Sequence, residues 1–297
     1  VTAIDLLGNG TACLVWSSPL PGDAPRAMRY IDLMGGQKPH LLVKTVNNLG
    51  AETVVQYAPS TRFYLQDKLA GTPWITKLPF PVHVVEQVET LDRISGNRFV
   101  TRSAYHHGYF DGVEREFRGF GMVEQWDTEE FTVLMADGTA TNLDGAFYVP
   151  PILTKTWFHT GAYLDRDRIS NFFAALPPEQ GGYYQEDLGL TPEPLQQLLL
   201  DDTVLPTGLS VAEEREACRS LKGAMLRQEV YALDGTDKQP HPYSVAEQNY
   251  TIEPVQPFGE NQHAVFFTHA RESLSYHYER NPADPRIGHE LVLEVDE

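Results

Sequence analysis

Short runs of alternating apolar and polar residues, separated by glycine, proline and asparagine, extend along most of this chain. The clearest case is the pair Leu41–Val46 and Glu52–Tyr57, which the Asn47–Gly50 stretch joins. Asparagine and glycine tolerate the left-handed backbone that a tight turn requires. The pattern therefore predicts a β-hairpin at this position.

Further β-strands are predicted in two blocks of the chain. In these runs, branched and aromatic residues mix with polar ones, which is typical of strands with one buried face. The predicted runs are Val1–Leu6, Cys13–Trp16, Met28–Leu33, Val82–Leu91, Arg98–Tyr105, Arg115–Trp126, Glu229–Leu233, Tyr250–Ile252, Ala264–Thr268, Ser273–Tyr278 and Glu290–Val295. The fold is therefore expected to be mainly β.

A helical insertion is predicted within residues 150–227. Ser210 is a typical N-cap, and Glu213 three residues later completes a capping box. A helical run is expected over 212–227, with a buried stripe formed by Ala217, Leu221 and Leu226.

Two other helical signals lie in the same insertion. The stretch Leu164–Leu176 is expected to be partly helical around Ile169, Phe172 and Phe173. Thr191 is a second N-cap candidate, followed by Pro192 in the first turn. Leucines then recur at helical spacing, at positions Leu195, Leu198 and Leu199.

The charge balance limits the classes of partner that this chain is expected to bind. The chain of 297 residues has 23 Lys and Arg against 41 Asp and Glu, a formal charge of −18. Such a surface repels phosphate groups, so neither nucleic acid nor an anionic membrane is expected as a partner. No apolar run approaches the ~20 residues that span a bilayer, and no signal peptide is recognisable. The chain starts at Val1 in mid-pattern and ends after a strand-like run, as expected of a section of a longer protein.

The two cysteines do not point to a disulfide-rich fold or a zinc site. Cys13 and Cys218 are far apart in sequence, which excludes a disulfide framework and a four-ligand cysteine zinc site. Cys218 falls on the predicted helix and is expected to be a small buried apolar group.

The densest candidate site is the stretch Tyr105–Gly112. Its His106, His107 and Asp111 are of metal-ligating types. Adjacent strand residues point to opposite faces, so the two histidines cannot share an ion without a bulge. A turn with hydrogen-bonding aromatic residues is the favoured interpretation.

A second candidate is the calcium-type loop Asp5–Gly10. Such loops place oxygen ligands at alternating positions, but Leu7 occupies the middle one, leaving Asp5 and Asn9. A structural turn is favoured here.

The remaining ionisable residues are expected to be structural. Four histidines, scattered among the C-terminal strands, are expected to be hydrogen-bonded: His263, His269, His277 and His289. The acidic pairs Asp201–Asp202 and Glu213–Glu214 are expected on solvated faces and as charges at helix termini. No phosphate loop, nucleophile elbow or metal helix motif occurs, so no catalytic, cofactor-binding or metal residue is assigned and no cofactor is expected.

Four long, aromatic-rich strings resemble one family. They lie at Tyr105–Trp126, Pro150–Gly161, Leu221–Tyr231 and His263–Arg280. They are similar to the middle region of the B component of tripartite insecticidal toxin complexes, which is related to SpvB-type virulence proteins. The opening Ile4–Trp16 resembles the last strands of a β-propeller blade.

The resemblance implies an Rhs-like β-sheet shell segment with a small helical insertion, preceded by the end of a propeller blade. It implies four parts: 1–25, blade end and linker; 26–149, a first β-rich domain; 150–227, the mixed segment; and 228–297, a C-terminal β-rich segment. It also implies a secreted, non-catalytic scaffold of the hollow shell that encloses a toxic C-terminal cargo. The implied partners are the C component and, at the adjacent propeller, the pore-forming A component, without direct membrane insertion.

Two alternatives stay open at this point. One is an enzyme, for example a hydrolase, with a site in the 150–227 insertion. The other is a carbohydrate- or receptor-binding module of a secreted virulence protein, suggested by the exposed-looking aromatic residues Trp74, Tyr183 and Tyr184. A further hypothesis is that the acidic residues line the shell cavity and hold a basic cargo.

Overall fold

The computed structural model describes residues 1–94, 97–127, 149–185 and 199–296. The strands in these ranges are β1 Thr2–Ile4, β2 Cys13–Ser17, β3 Met28–Asp32, β4 Lys44–Val46, β5 Ala51–Pro59, β6 His83–Asp92, β7 Asn97–Asp111, β8 Glu116–Trp126, β9 Ile152–Phe158, β10 Met225–Ala232, β11 Ser244–Gln256, β12 Val265–His277 and β13 Arg286–Leu291. The helices are α1 Ser60–Ala70 and α2 Val211–Ser220, with 3-10 turns at Pro21–Arg26 and Pro178–Gln180. The predicted mainly β fold is confirmed.

The strands form two antiparallel sheets. Strands β1, β2 and β3 form a three-stranded sheet, and β4 to β13 form a ten-stranded sheet in strict chain order. Each strand of the larger sheet therefore pairs with the strand that follows it, the simplest arrangement for antiparallel neighbours. The sheet order leaves β4 and β13 as its two edges.

The hairpin predicted around Asn47 is confirmed. Thr45 pairs with Thr53 across it. The Asn47 side chain accepts hydrogen bonds from the backbone N–H groups of Leu49 and Ala51, at 2.8 and 2.9 Å. Asn48 adopts a φ of 59°, the left-handed conformation that asparagine tolerates. Local hydrogen bonds of the Asn47 side chain therefore hold the turn that sets the register of β4 against β5.

The core lies between the large sheet and the segment that precedes β10. One buried cluster contains Met122, Trp157, Phe172, Phe173, Tyr183 and Leu226. A second cluster lies under α2 and contains Ile169, Ala217, Cys218, Leu221 and Ile252. The described residues between β9 and β10, 159–185 and 199–224, are called the insertion from here on. The insertion covers one part of the sheet with apolar side chains.

The capping box of α2 is confirmed, but the predicted length of this helix is wrong. The Ser210 hydroxyl accepts from the Glu213 N–H, and the Glu213 carboxylate accepts from the Ser210 N–H. The helix ends at Ser220, because Gly223 then takes a φ of 85° and turns the chain into β10. Leu226 is buried from that strand rather than from the helix.

The helical expectation for Leu164–Leu176 is wrong, since this stretch forms a series of turns. The Asp202 carboxylate accepts hydrogen bonds from the N–H groups of Ile169 and Ser170, both at 2.7 Å. A side chain therefore satisfies backbone donors that a helix would have used. The helix predicted from Thr191, with Leu195 and Leu198, lies outside the described residues.

The division into four parts stays a prediction. Strand β3, assigned to the second part, pairs with β2 of the first. Among the described helices, none has the length and apolar character needed to cross a membrane.

Candidate functional site

The two edges of the ten-stranded sheet are its most unusual surfaces. Every residue of β4 and of β13 is exposed. Large apolar side chains occur there: Val46 is 51% exposed, Ile287 57% and Leu291 53%. Natural proteins usually shorten, charge or cover such edges to prevent pairing with other chains. These edges are therefore candidates for contact with further polypeptide.

The outward-pointing backbone groups of both edges follow from the hydrogen bonds. On β4, the Val43 carbonyl and the Asn47 N–H bond to β5. Because inward and outward groups alternate in an antiparallel pair, Lys44 and Val46 point their N–H and C=O groups away from the sheet. On β13, the N–H of Val292 bonds to Arg271, so the same alternation directs the groups of Leu291 outward.

A buried cluster of charges lies at the centre of the sheet. The Arg227 guanidinium contacts the carboxylates of Glu229 at 2.7 Å and Glu247 at 2.6 Å. These side chains are 3%, 1% and 7% exposed. The Tyr183 ring lies 4.8 Å from the guanidinium carbon. The N–H of Tyr184 donates to Glu229 at 2.8 Å. Through these contacts, the charged side chains of β10 bind the segment that contains Tyr183 and Tyr184 to the sheet.

The histidines of the predicted site have separate partners. His106 Nδ1 lies 2.7 Å from Asp67, and its Nε2 lies 3.6 Å from Glu124. Burial opposes its protonation, but the two carboxylates outweigh burial and raise the pKa of His106 to about 9. His107 accepts a hydrogen bond from the N–H of Ile75, and burial lowers its pKa to about 4.

A bulge that would let both histidines share a metal ion is not seen between them: His107 has a φ of 56°, but the register of β7 against β8 shifts only between Gly108 and Phe110. The ring centroids of His106 and His107 are 6.5 Å apart. Asp111 pairs instead with Arg118 at 2.9 Å and accepts the N–H groups of Val113 and Glu114. The three residues therefore do not converge on one ion, and each has a structural contact.

The calcium-type loop is held by its own side chains. Asp5 accepts the N–H groups of Asn9 and Gly10, and Asn9 accepts the N–H and hydroxyl of Thr11. These bonds engage the oxygens that a cation would use, as in a structural turn.

One group in the described part of the chain has the composition of a metal site. Ligand atoms of Glu114, Glu216 and His263 lie within 4.8 Å of one another. However, Glu216 already accepts from His263 at 2.8 Å and from the N–H of Ala264. Arg219 lies 3.7 Å from Glu114 and opposes a cation there. The arrangement is that of an ion-paired surface cluster.

Two more of the scattered histidines have polar contacts. His289 Nε2 lies 3.1 Å from Glu272, and His269 Nδ1 lies 3.0 Å from the carbonyl of Ala270. His277 lies on β12 opposite Arg286. Among the described residues, these three histidines do not converge on a common site. Their assignment as structural residues stays a prediction.

Several expectations about exposure are wrong. Tyr183 is buried, and Tyr184 and Trp74 are half-buried. Their polar groups bond inside the protein, Tyr184 to His241 and Trp74 to Asp67. They do not form an open aromatic platform for a sugar.

Glu213 and Glu214 lie at a helix terminus as expected, in the first turn of α2. Two of the four acidic side chains are less solvated than expected, because Glu214 is buried and Asp202 is half-buried. Glu214 accepts from the Tyr163 hydroxyl at 2.7 Å. Asp202 accepts three backbone N–H groups, those of Ile169, Ser170 and Thr203. The sequence pattern cannot reveal these roles, because their partners are distant in the chain.

A buried histidine that the sequence analysis did not single out supports the core. His159 Nε2 lies 2.7 Å from the carbonyl of Ile169, and its Nδ1 accepts from the N–H of Gly161. Burial lowers its pKa to about 4, which keeps the ring neutral at pH 7. Cys218 is buried as expected, and burial raises its pKa to about 12.

Two family models match the chain. The model of the insecticide toxin TcdB middle/N-terminal region matches residues 1–161. The chain belongs to the TcdB middle-region family. The model of the TcdB middle/C-terminal region matches residues 216–297. The resemblance to a toxin-complex B component is thereby confirmed, and the TcdB-like chain is a segment of such a component.

Solved structures agree with this family. A crystal structure of TcdB2–TccC3–TEV is 31% identical, with a TM-score of 0.78, and the match covers 99% of this chain and 13% of that chain. A Photorhabdus luminescens Tc holotoxin pore gives the same identity, TM-score and coverage. TcdB2–TccC3 without its hypervariable C-terminal region is 31% identical over 98% of this chain and 13% of that chain, with a TM-score of 0.78.

The TcdB-like chain thus spans about 13% of the length of the chains that it matches. A search of curated proteins found no match.

Proposed function

We propose that this chain is a non-catalytic wall section of a hollow β-shell in a toxin-complex B component. The shell encloses a toxic C-terminal cargo, which the complex delivers after secretion. The C component closes the shell, and the A component docks at the adjacent propeller.

The observation that carries the proposal is the ten-stranded meander with two exposed edges, in which apolar side chains stand among charged ones. A sheet built from consecutive antiparallel strands can be extended at either edge by more strands of the same kind. Extension would pair the outward groups of β4 and β13 and cover Val46 and Leu291. The edges are therefore the sites at which the wall continues.

The names of the relatives support the partners. TcdB2 occurs together with TccC3 in several of the matching structures, and another is a Tc holotoxin pore. We extend these associations to the protein that contains this chain. The internal bonds of His106, Asp111 and Glu216 support a non-catalytic role, since these groups already serve as structural contacts.

Proline at the two edges tests the proposal. In the full-length B component, Val46→Pro with Leu291→Pro would remove two outward N–H groups without touching bonds inside the sheet. We expect loss of the closed complex with the C component in size-exclusion chromatography and loss of protease protection of the cargo.

The matched control is Val46→Thr with Leu291→Thr, which keeps both N–H groups in β-compatible residues. This control should assemble normally. Normal assembly of the proline variant, with a protected cargo, would contradict the wall proposal. The isolated chain should also self-associate through these edges, and sedimentation as a stable monomer would count against it.

A further inference from the structure

The large sheet separates charged from uncharged side chains by face. Directly opposed residues of antiparallel strands point to the same face, so the strand register defines continuous rows. One row runs Ser103, Gln125, Thr154, Val230, Ser244, His277, and the next runs Tyr105, Val123, Thr156, Gln228, Ala246, Ser275. Near the other edge, two rows contain Thr53 with Thr90 and Phe99, and Val55 with Val88 and Thr101. We call the residues of these four rows the neutral face.

The neutral face contains hydroxyl, amide, aromatic and small apolar side chains and one histidine, and none of the residues in these four rows is Asp, Glu, Lys or Arg. Charged residues of similar orientation lie at the margins: Asp92 beside a strand end, Glu86 in a bulge of β6, Asp127 just after β8, where it accepts from Gln125, and Arg286 and Glu290 on edge strand β13.

The opposite face contains the charges. The alternate rows include Glu124, Lys155 and Glu229, and then His106, Arg227 and Glu247. Ion pairs form along this face, for instance Lys155 with Glu124 at 3.1 Å. At its centre the charged residues are also the buried ones, because the insertion lies over Arg227 and Glu229.

Burial is therefore the reverse of the usual rule. Along β10 and β11, Glu229 and Glu247 are buried, whereas Gln228 and Ala246 on the neutral face are partly exposed. A face in contact with bulk water normally contains interspersed Lys, Arg, Glu and Asp, which keep proteins soluble. With a chain charge of −18, the lack of acidic residues on this open face is all the more unexpected.

From this separation of charge we infer that the neutral face lines the enclosed space of the shell and contacts the variable C-terminal polypeptide of the C component. The inference rests on the proposed function. One relative's partner has a hypervariable C-terminal region. A lining that must accept polypeptides of any sequence cannot match their charges. Uncharged hydroxyl and amide groups avoid both repulsion and tight ion pairing.

The inference replaces the hypothesis of an acidic cavity lining. The acidic strand residues Glu124, Glu229 and Glu247 point away from the neutral face. In the shell they would therefore belong to the side that the insertion covers.

Single cysteines test which face meets the cargo. Both native cysteines of the chain are buried and give little background. Gln125 is exposed on the neutral face, and Gln56 is exposed on the charged face, where its partner Gln87 binds Arg102. Gln125→Cys and, as the matched control, Gln56→Cys would each be placed in the full-length B component. A short thiol-linked photo-crosslinker would then be attached in the complex with the C component.

We expect Gln125→Cys to capture the cargo and Gln56→Cys to capture none. Two cargo segments of opposite net charge should be captured in equal yield. Adding Gln228→Lys should shift the yield towards the acidic cargo. Capture from Gln56→Cys alone, or a charge preference without Gln228→Lys, would overturn the inference. Absence of any cargo from the purified complex would instead contradict the proposed shell function itself.

Discussion

Two regions of the sheet contain clusters of ion pairs in opposite surroundings. At the centre, Arg227 lies between Glu229 and Glu247, with all three side chains buried. At the margin, Glu52 binds Lys44 and Arg93, whose side chains are 47% and 60% exposed. The hydrogen bonds from Arg93 and Lys44 lower the pKa of Glu52 to about 2. Water nevertheless screens the marginal pairs. The buried central charges are shielded from water, so each is stabilised by its charged partners instead.

The comparison teaches that ion-pair geometry alone does not determine stability. Burial of the central cluster raises the pKa of Glu247 even though Arg227 is adjacent, so desolvation costs are large there. Removing one central partner should therefore be far more damaging than removing one marginal partner.

The largest expected effect is that of Arg227→Met. It leaves two carboxylates buried without their cation, and we expect the free energy of unfolding to fall by about 3–5 kcal/mol. Chemical denaturation of the purified protein measures this loss. Adding Glu229→Gln and Glu247→Gln removes the unpaired charges and should restore much of the stability. If Arg227→Met alone were as stable as the triple variant, the unpaired buried carboxylates would not be the cause of the loss.

A smaller effect is expected from pH, through His106. Its folded pKa of about 9 exceeds the unfolded value of 6.5. Its stabilising contribution is therefore complete below pH 6.5 and disappears as pH rises through 9, a loss of roughly 3 kcal/mol.

The measurement is denaturation at a series of pH values, with His106→Gln as the reference variant. The stability difference between the two proteins should shrink between pH 6.5 and pH 9. A difference that stays constant across this range would show that His106 is neutral in the folded protein.

Tyr183→Leu should lower the free energy of unfolding by a smaller amount. It removes the ring that lies 4.8 Å from Arg227, and we expect a loss of about 1–2 kcal/mol beyond the lost packing. Tyr183→Phe keeps the ring and is the matched control. Equal stability of the Leu and Phe variants, measured by thermal unfolding, would exclude a role for the ring.

The smallest effect is expected at the margin. Arg93→Met removes an exposed partner of Glu52, and Lys44 stays in place. We expect almost no change in melting temperature, and the small change should vanish in high salt. A loss comparable with that of Arg227→Met would remove the distinction between the two regions.

Much of the fold could be predicted because its signals are local. The turn at Asn47 and the capping box of Ser210 and Glu213 depend on residues within a few positions of each other. The predicted strands from Ala264 and Ser273 instead form one strand, Val265–His277, which continues through a bulge near Arg271. A bulge depends on the neighbouring strand, so a single run of sequence does not reveal it.

The candidate site was less predictable. Asp202 and Glu214 look like surface acids in the sequence. Apart from Thr203, the donors to their carboxylates lie 32–51 residues away along the chain. Tyr183 looks exposed for the same reason, since Arg227 and Trp157 approach it only in the folded chain.

The sequence by itself determined the strand-rich character, the cap of α2 and, through its long aromatic strings, the family. Only the tertiary structure decided which face of the sheet contains the charges. Side chains alternate with a period of two, so a one-residue change of register or a bulge moves every later side chain to the other face. Local alternation separates Gln228 from its neighbours Arg227 and Glu229. That Gln228 shares its face with the uncharged Thr156 and Ala246, however, depends on the register of the adjacent strands.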